Sequence, residues 1–159
     1  MTVLGIGLDV VDVPGFASHL DEPGNGLRRL FSERELRQVR IRARLKGDTE
    51  VVHLAARWAA KEAVQKAWSA ALGERSVPYT VDSFPWAQIE ILSDGRGRPQ
   101  VFLRDAPRAK LYNSLELTDP TRGGAPTAES IPGQLVWHVS LSHDGTTAAA
   151  YVLLEYRPG

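Results

Sequence analysis

The chain has 159 residues, 43% of them hydrophobic, which suits one globular domain with a real core rather than a disordered chain. Lys and Arg number 19, as do Asp and Glu, so no net charge favours nucleic acid as a partner. There is no cysteine, which excludes disulfides, zinc thiolate sites and a cysteine nucleophile. No stretch is apolar enough to span a membrane, and the first residues lack the basic segment of a signal peptide, so a cytoplasmic protein is expected.

Residues 2–13 are rich in Val, Ile and Leu and predict a strand. Alternation puts Leu4, Ile6, Leu8 and Val10 on one face and Gly5, Gly7 and Asp9 on the other. Two glycines followed by an acid leave room for a ligand to approach the backbone. Asp12, near the strand end, reads as a turn or cap residue. Pro14 is expected to end the strand, with a short helix at Phe16–Leu20 and a loop at residues 21–26. Ser32-Glu-Arg-Glu35 has the form of a capping box, opening a helix that runs to about Leu45. That helix and the segment before it hold Arg28, Arg29, Arg34, Arg37, Arg40, Arg42 and Arg44, the one basic region of a neutral chain. It is either a solvated face or a dock for an acidic partner.

The stretch His53–Trp68 contains neither Gly nor Pro and is expected to be one long helix. Val51, Leu54, Ala55, Trp58, Ala59, Ala63 and Ala67 form an apolar stripe, with Glu62 in its middle and Lys66 one turn on. A carboxylate there is unfavourable unless something pairs with it. Either Lys66 neutralises Glu62, or Glu62 faces a site that holds a cation. Arg57 and Lys61 form their own pair to one side. Gly73 closes the helix. Residues 87–92 and 100–103 predict a hairpin whose tip, Asp94-Gly-Arg-Gly-Arg-Pro99, is glycine-rich and doubly basic. It is a plain turn or a phosphate contact. A short helix at 105–115 and a mobile surface loop at 119–133 follow, then strands at 135–142 and 147–155 joined by a turn at 143–146. Ser142, His143 and Asp144 are consecutive and cannot converge as a hydrolase triad. His143 is a turn residue or meets an anionic ligand, and His138 is a structural strand residue.

Asp9 and Glu62 taken together suggest a magnesium site, because two carboxylates at one locus repel unless a cation or proton lies between them. Magnesium is commonly held by one or two carboxylates plus substrate phosphates. The residue types alone point to a Mg²⁺-dependent enzyme acting on a phosphate ester or anhydride.

At these residues the chain resembles the holo-[acyl-carrier-protein] synthases, small bacterial 4′-phosphopantetheinyl transferases. Gly7-Leu-Asp9 matches their Gly-x-Asp. Trp58-Ala-Ala-Lys-Glu-Ala-Val-Gln-Lys66 matches their Trp/Phe-small-x-Lys-Glu-Ala-x-x-Lys. Phe31-Ser-Glu-Arg-Glu35, Gly97-Arg-Pro99 and Ser140-Leu-Ser-His143 resemble three further motifs, in the same order. Residues 119–133, and less so 74–86, exceed the compact members. The resemblance implies an α+β fold with a small, mostly antiparallel sheet on a long central helix, one domain spanning 1–159, and a homotrimer with active sites between subunits. It implies transfer of 4′-phosphopantetheine from coenzyme A to a serine of an apo acyl carrier protein, with adenosine 3′,5′-bisphosphate leaving. Asp9 and Glu62 would hold Mg²⁺, and Lys66 would stabilise phosphate charge. Arg57, Lys61, Gly97, Pro99 and His143 would bind substrate. Arg28, Arg29, Arg37 and Arg40 would dock the carrier protein. The general base stays open between Glu62 and a water on the metal. No nucleic-acid or membrane partner is expected. Two other readings compete: a Mg²⁺-dependent phosphohydrolase or nucleotide-processing enzyme using the same carboxylates, and a non-catalytic module that binds an acidic partner.

Overall fold

The computed structural model describes residues 1–120 and 131–159, with backbone alone at Ile131 and Pro132. Residues 121–130 of the segment expected as a mobile loop lie outside the described residues. Among the described residues, six strands and four α-helices run in the order β1 (Thr2–Asp12), α1 (Val13–Asp21), α2 (Glu33–Lys46), α3 (Glu50–Leu72), β2 (Ile89–Ser93), β3 (Pro99–Leu103), α4 (Asp105–Ser114), β4 (Leu117–Thr118), β5 (Ile131–Asp144) and β6 (Thr147–Pro158). Short 3₁₀ turns precede α2 and β2. The fold is α+β. One sheet has the order β1-β6-β5-β4, antiparallel except where β4 runs parallel to β5, and β2–β3 is a separate hairpin.

Helix α3 is the centre of the molecule. Alanines and Val64 make it thin and apolar, and residues on every side of it are buried, from His53 and Leu54 to Trp68 and Leu72. The expected one-sided stripe is therefore too narrow, and Val51 and Trp58, placed on it, keep partial exposure. A helix that is apolar all round belongs inside, with elements packed on more than one face. Strands β1 and β6 cover one side through Gly5, Gly7, Ala148, Ala150, Val152 and Leu154. The aromatic chain Phe31–Trp58–Trp86–Phe84–Trp68 follows another side, with successive ring centroids 4.5–6.3 Å apart.

The glycine face of β1 receives α3 itself, not a ligand. A Cβ on Gly5 would stand 2.0 Å from the Ala67 carbonyl oxygen, and one on Gly7 would stand 1.9 Å from that of Ala63. The opposite face of β1 is apolar yet open: Ile6, Leu8 and Val10 are 49%, 55% and 59% exposed.

The local signals hold with adjusted bounds. Asp12 is the N-cap of α1, its Oδ2 accepting from the Gly15 N–H at 2.8 Å, so the first helix starts at Val13 and Pro14 sits in its first turn. The capping box at Ser32 and Glu35 is complete, and Gly47 closes α2 with φ of 68°. The last hairpin is longer than expected. Ile131–Gly133, His143 and Asp144 belong to β5, which leaves Gly145 and Thr146 as the turn. The two-residue β4 is too short to give a sequence signal.

Gly7→Ala should be destabilised by about 3 kcal/mol, because the new methyl meets helix backbone that cannot rotate away. It should also lower activity by separating Asp9 from α3. Urea denaturation and an activity assay check both effects.

Candidate active site

Strand β1 ends its glycine run at Asp9, which therefore lies against α3 one helical turn beyond the Gly7–Ala63 contact. Glu62 and Lys66 project from α3 at that point. Lys66 Nζ donates to Asp9 Oδ1 at 2.7 Å and to the Leu8 carbonyl at 3.1 Å. The local Glu62–Lys66 pair is thus replaced by a pair across two elements, with Asp9 as the acceptor. Asp9 Oδ2 is buried and has no hydrogen-bond partner among the described residues. Glu62 is half-buried beside Asp9. Its carboxyl is pushed up to about 7, first by burial, then by the Asp9 charge and by a hydrogen bond shared with the Asp9 carboxyl, with Lys66 opposing.

With Glu62 ionised, two carboxylates and the one ammonium on Asp9 leave a net negative charge, and one Asp9 oxygen has no partner among the described residues. That donor set fits a hard divalent cation that takes its remaining ligands from phosphate and water. No cluster of three or more His, Asp or Glu ligands exists among the described residues, so the protein alone would not fill such an ion's coordination shell.

A second locus lies on the other side of α3. Arg57, Gly97, Pro99 and His143, named from the sequence, line one cavity of about 130 Å³ together with Arg42, Lys46 and His53. Arg57 is buried. Its Nε donates to the Ile91 carbonyl at 3.1 Å and its Nη1 to the His53 carbonyl at 3.4 Å, which fixes the guanidinium at the cavity wall. Burial lowers its pKa to about 10, so it stays charged at neutral pH. Gly97 has φ of +80°, and a Cβ there would stand 2.8 Å from Arg42 Nη1. The left-handed turn requires glycine, and the Arg42 guanidinium lies against it. The tip arginine Arg98 is exposed, and its Nε donates to Asp94 Oδ2 at 2.8 Å. Arg42, from α2, is the cation that lies against the hairpin tip inside the cavity.

Lys61 must be removed from the substrate-binding set. It is fully buried, and its three N–H donors go to Glu35 Oε2 at 3.0 Å, the Trp86 carbonyl at 2.6 Å and the Ile89 carbonyl. No donor remains for a phosphate. The stripe pattern put Lys61 at the side of the helix, but that side faces β2.

The basic helix divides as well. Arg34 bonds the buried Glu90 at 3.1 Å, and Arg28 lies 3.9 Å from Glu50. Arg29, Arg37 and Arg40 are exposed. Beside them Ile41 and Leu45 are 52% and 82% exposed. His138 is structural as expected, bonded to Glu155 at 2.6 Å. His53 carried no signal in the sequence, because its partner Asp48 lies in the turn before α3.

Residues 5–153 match the model of the 4′-phosphopantetheinyl transferase superfamily. The chain belongs to this family. It is 48% identical over 158 residues to a holo-[acyl-carrier-protein] synthase of Bifidobacterium animalis subsp. lactis, covering 98% of this chain and 99% of that one. The synthase of Mycobacterium leprae is 37% identical, with 98% of each chain covered. Among solved structures, the ACPS–CoA complex of Chronobacterium ammoniagenes superposes with a TM-score of 0.80 at 35% identity, over 99% of both chains. The chain is thus an enzyme of the holo-[acyl-carrier-protein] synthase group.

Glu62→Gln should make the free protein more stable at pH 8, by on the order of 1 kcal/mol once partial exposure is discounted. The raised carboxyl binds more protons folded than unfolded between pH 4.5 and about 7. Its contribution to stability therefore falls as pH rises through that window and is flat above it. Thermal melts from pH 4.5 to 8 should show this fall in the parent and a shallower one in the variant.

Proposed function

We propose that the protein moves 4′-phosphopantetheine from coenzyme A to a serine of an apo acyl carrier protein, with Mg²⁺ at Asp9 and Glu62. The observation that carries this is the meeting of those two carboxylates across the β1–α3 contact, with one Asp9 oxygen left without a partner. Magnesium bound there would neutralise the pyrophosphate and orient it for in-line displacement.

The chain's own groups supply the rest. The serine oxygen forms a bond to the β-phosphate, and the bond to the bridging oxygen breaks. Adenosine 3′,5′-bisphosphate leaves with that electron pair. Lys66, already beside Asp9, places an ammonium where phosphate charge grows. The serine proton passes to a base at this locus, for which Glu62 is the candidate side chain. Arg57, Arg42 and His143 present a cationic cavity of a size for one phosphate group at the nucleotide end.

The two loci argue for a homo-oligomer. From Arg57 to Glu62 the helix turns through about 140°. Asp9 pairs with Ala150 of β6, which pairs with Leu141 of β5 beside the cavity. The sites thus flank α3 roughly 10 Å apart, at two strand spacings. A coenzyme A on one protomer would have to pass around the buried helix to use both. A neighbour seated on the open face of Ile6, Leu8, Val10 and Tyr151 would bring its carboxylate pair to this protomer's cavity. A homotrimer closes such contacts symmetrically. The exposed Arg29, Arg37 and Arg40, around Ile41 and Leu45, fit an acidic carrier protein with an apolar centre, and Arg28 stands at the edge of that surface.

An apo carrier protein incubated with this protein, coenzyme A and Mg²⁺ should gain the phosphopantetheine mass in intact mass spectrometry, and EDTA or Glu62→Gln should abolish the gain. Release of the bisphosphate without any carrier would instead identify a phosphohydrolase. No gain across several carrier proteins rejects the transferase reading.

Leu8→Asp should shift the parent's trimeric mass to a monomer by light scattering and lower activity at least tenfold, as a buried unpaired charge at a subunit contact requires. A monomeric parent with full activity would reject the shared site.

A further inference from the structure

His53 is a buried titratable group that the transfer chemistry does not use. It projects from the first turns of α3 into the cationic cavity and is 5% exposed. One ring nitrogen, Nε2, lies 2.7 Å from Asp48 Oδ1. The other has no hydrogen-bond partner among the described residues. The ring of His143 meets it edge-to-face at 6.3 Å. The charged and titratable groups around it are Asp48 from the turn, Arg42 and Lys46 from α2, Arg57 one turn along α3, and His143 from β5. The hairpin adds only uncharged residues, Ser93, Gly97 and Pro99.

This arrangement makes the ring conditional. With one proton, Nε2–H donates to Asp48 and the free nitrogen is an acceptor, which suits no anion. With a second proton, both nitrogens donate, and the free one becomes a ligand for a phosphate oxygen. In the empty cavity burial and two cations, Arg57 and Lys46, oppose that second proton and only Asp48 favours it. A dianionic phosphate would reverse the balance. Burial, more than the cations, already lowers the affinity of His53 for protons, so the unliganded ring is neutral at physiological pH.

We propose that His53, oriented by Asp48, takes up a proton when a phosphate monoester enters the cavity and then donates to it, so that recognition of the nucleotide end is coupled to proton uptake. The inference rests on the reading of coenzyme A as substrate. It makes His53 a specificity-determining residue for the monoester at the 3′ position, and Asp48 a positioning residue that acts through it.

Calorimetry in buffers of different ionisation enthalpy measures the coupling directly. At pH 7.5 a free phosphate monoester is already mostly dianionic and contributes little proton exchange of its own. Adenosine 3′,5′-bisphosphate should bind the full-length protein with uptake of roughly half a proton or more, and its affinity should fall as pH rises from 7 to 8.5. His53→Gln should bind about tenfold more weakly and lose the uptake, whereas His143→Gln keeps it. Asp48→Asn should reduce the uptake without removing the ring. Coenzyme A should show the coupling and 3′-dephospho-coenzyme A should not. Nitrogen-15 NMR of the parent's histidine rings gives a readout that needs no variant: the His53 signal should move to the doubly protonated form on ligand binding. Bisphosphate binding with no uptake, or uptake unchanged in His53→Gln, overturns the inference and leaves the transferase intact. A parent that binds neither the bisphosphate nor coenzyme A overturns the proposed function, and this inference with it.

Discussion

The contact between the glycines of β1 and the backbone of α3 is the constraint on which the rest depends. Gly5 and Gly7 let the strand lie directly on the carbonyls of Ala67 and Ala63. Only an approach that close allows a side chain as short as Asp9 to share a locus with Glu62. The contact also decides which face of β1 is inside. Because the face with side chains cannot lie on α3, Ile6, Leu8 and Val10 are turned outward on an apolar surface. One steric fact thus creates both the carboxylate pair and the surface on which a second subunit would rest.

A second constraint holds the other side of the helix. Glu35 caps α2 through the Ser32 N–H at 2.8 Å, accepts from the Ile91 N–H at 3.0 Å, and pairs with Lys61. Both charges are fully buried. A pair so placed is tolerated because every donor and acceptor is met, and losing either member would leave an uncompensated charge, at about 3–5 kcal/mol. Its effect is geometric. It ties α2, α3 and β2 together, which sets the positions of Arg42, Arg57 and the hairpin tip around one cavity. The motif Lys61-Glu62 therefore joins two neighbours with unrelated jobs: one lysine inside the scaffold, one glutamate at the candidate site.

That division marks the limit of what the sequence could reveal. Asp9 with Glu62 was legible because a strand alternates with period two and a helix with period 3.6, so each carboxylate could be placed on a face next to small residues. The capping box, the Asp12 cap and the glycine stops were legible because they are local. Lys61 was misread because a helix buried on all sides has no outer face to which a lysine can be assigned. Arg34 and Arg42 were grouped in one basic region, yet Glu90 and the cavity each claim one of them. Those partners are up to 56 residues away in sequence, a distance at which spacing carries no information. Of the substrate-binding residues named from the resemblance, all but Lys61 line one cavity, and nothing in the spacing foretold that α3 would stand between it and the carboxylates.

The alanine content of α3 ties these observations together. Ala55, Ala56, Ala59, Ala60, Ala63 and Ala67 are all buried, and each keeps a neighbouring element close to the helix axis. Leucines at these positions would fill a core equally well in terms of apolar area, but they would push β1, β6 and the hairpin outward. The carboxylate pair would then open, because Asp9 has no length to spare, and Arg57 would lose its bond to the Ile91 carbonyl. A thin helix holds less apolar surface, and the shortfall is met by the aromatic chain from Phe31 to Trp68 on its remaining side. The composition of α3 is therefore set by the distance the two loci must keep, more than by helix propensity.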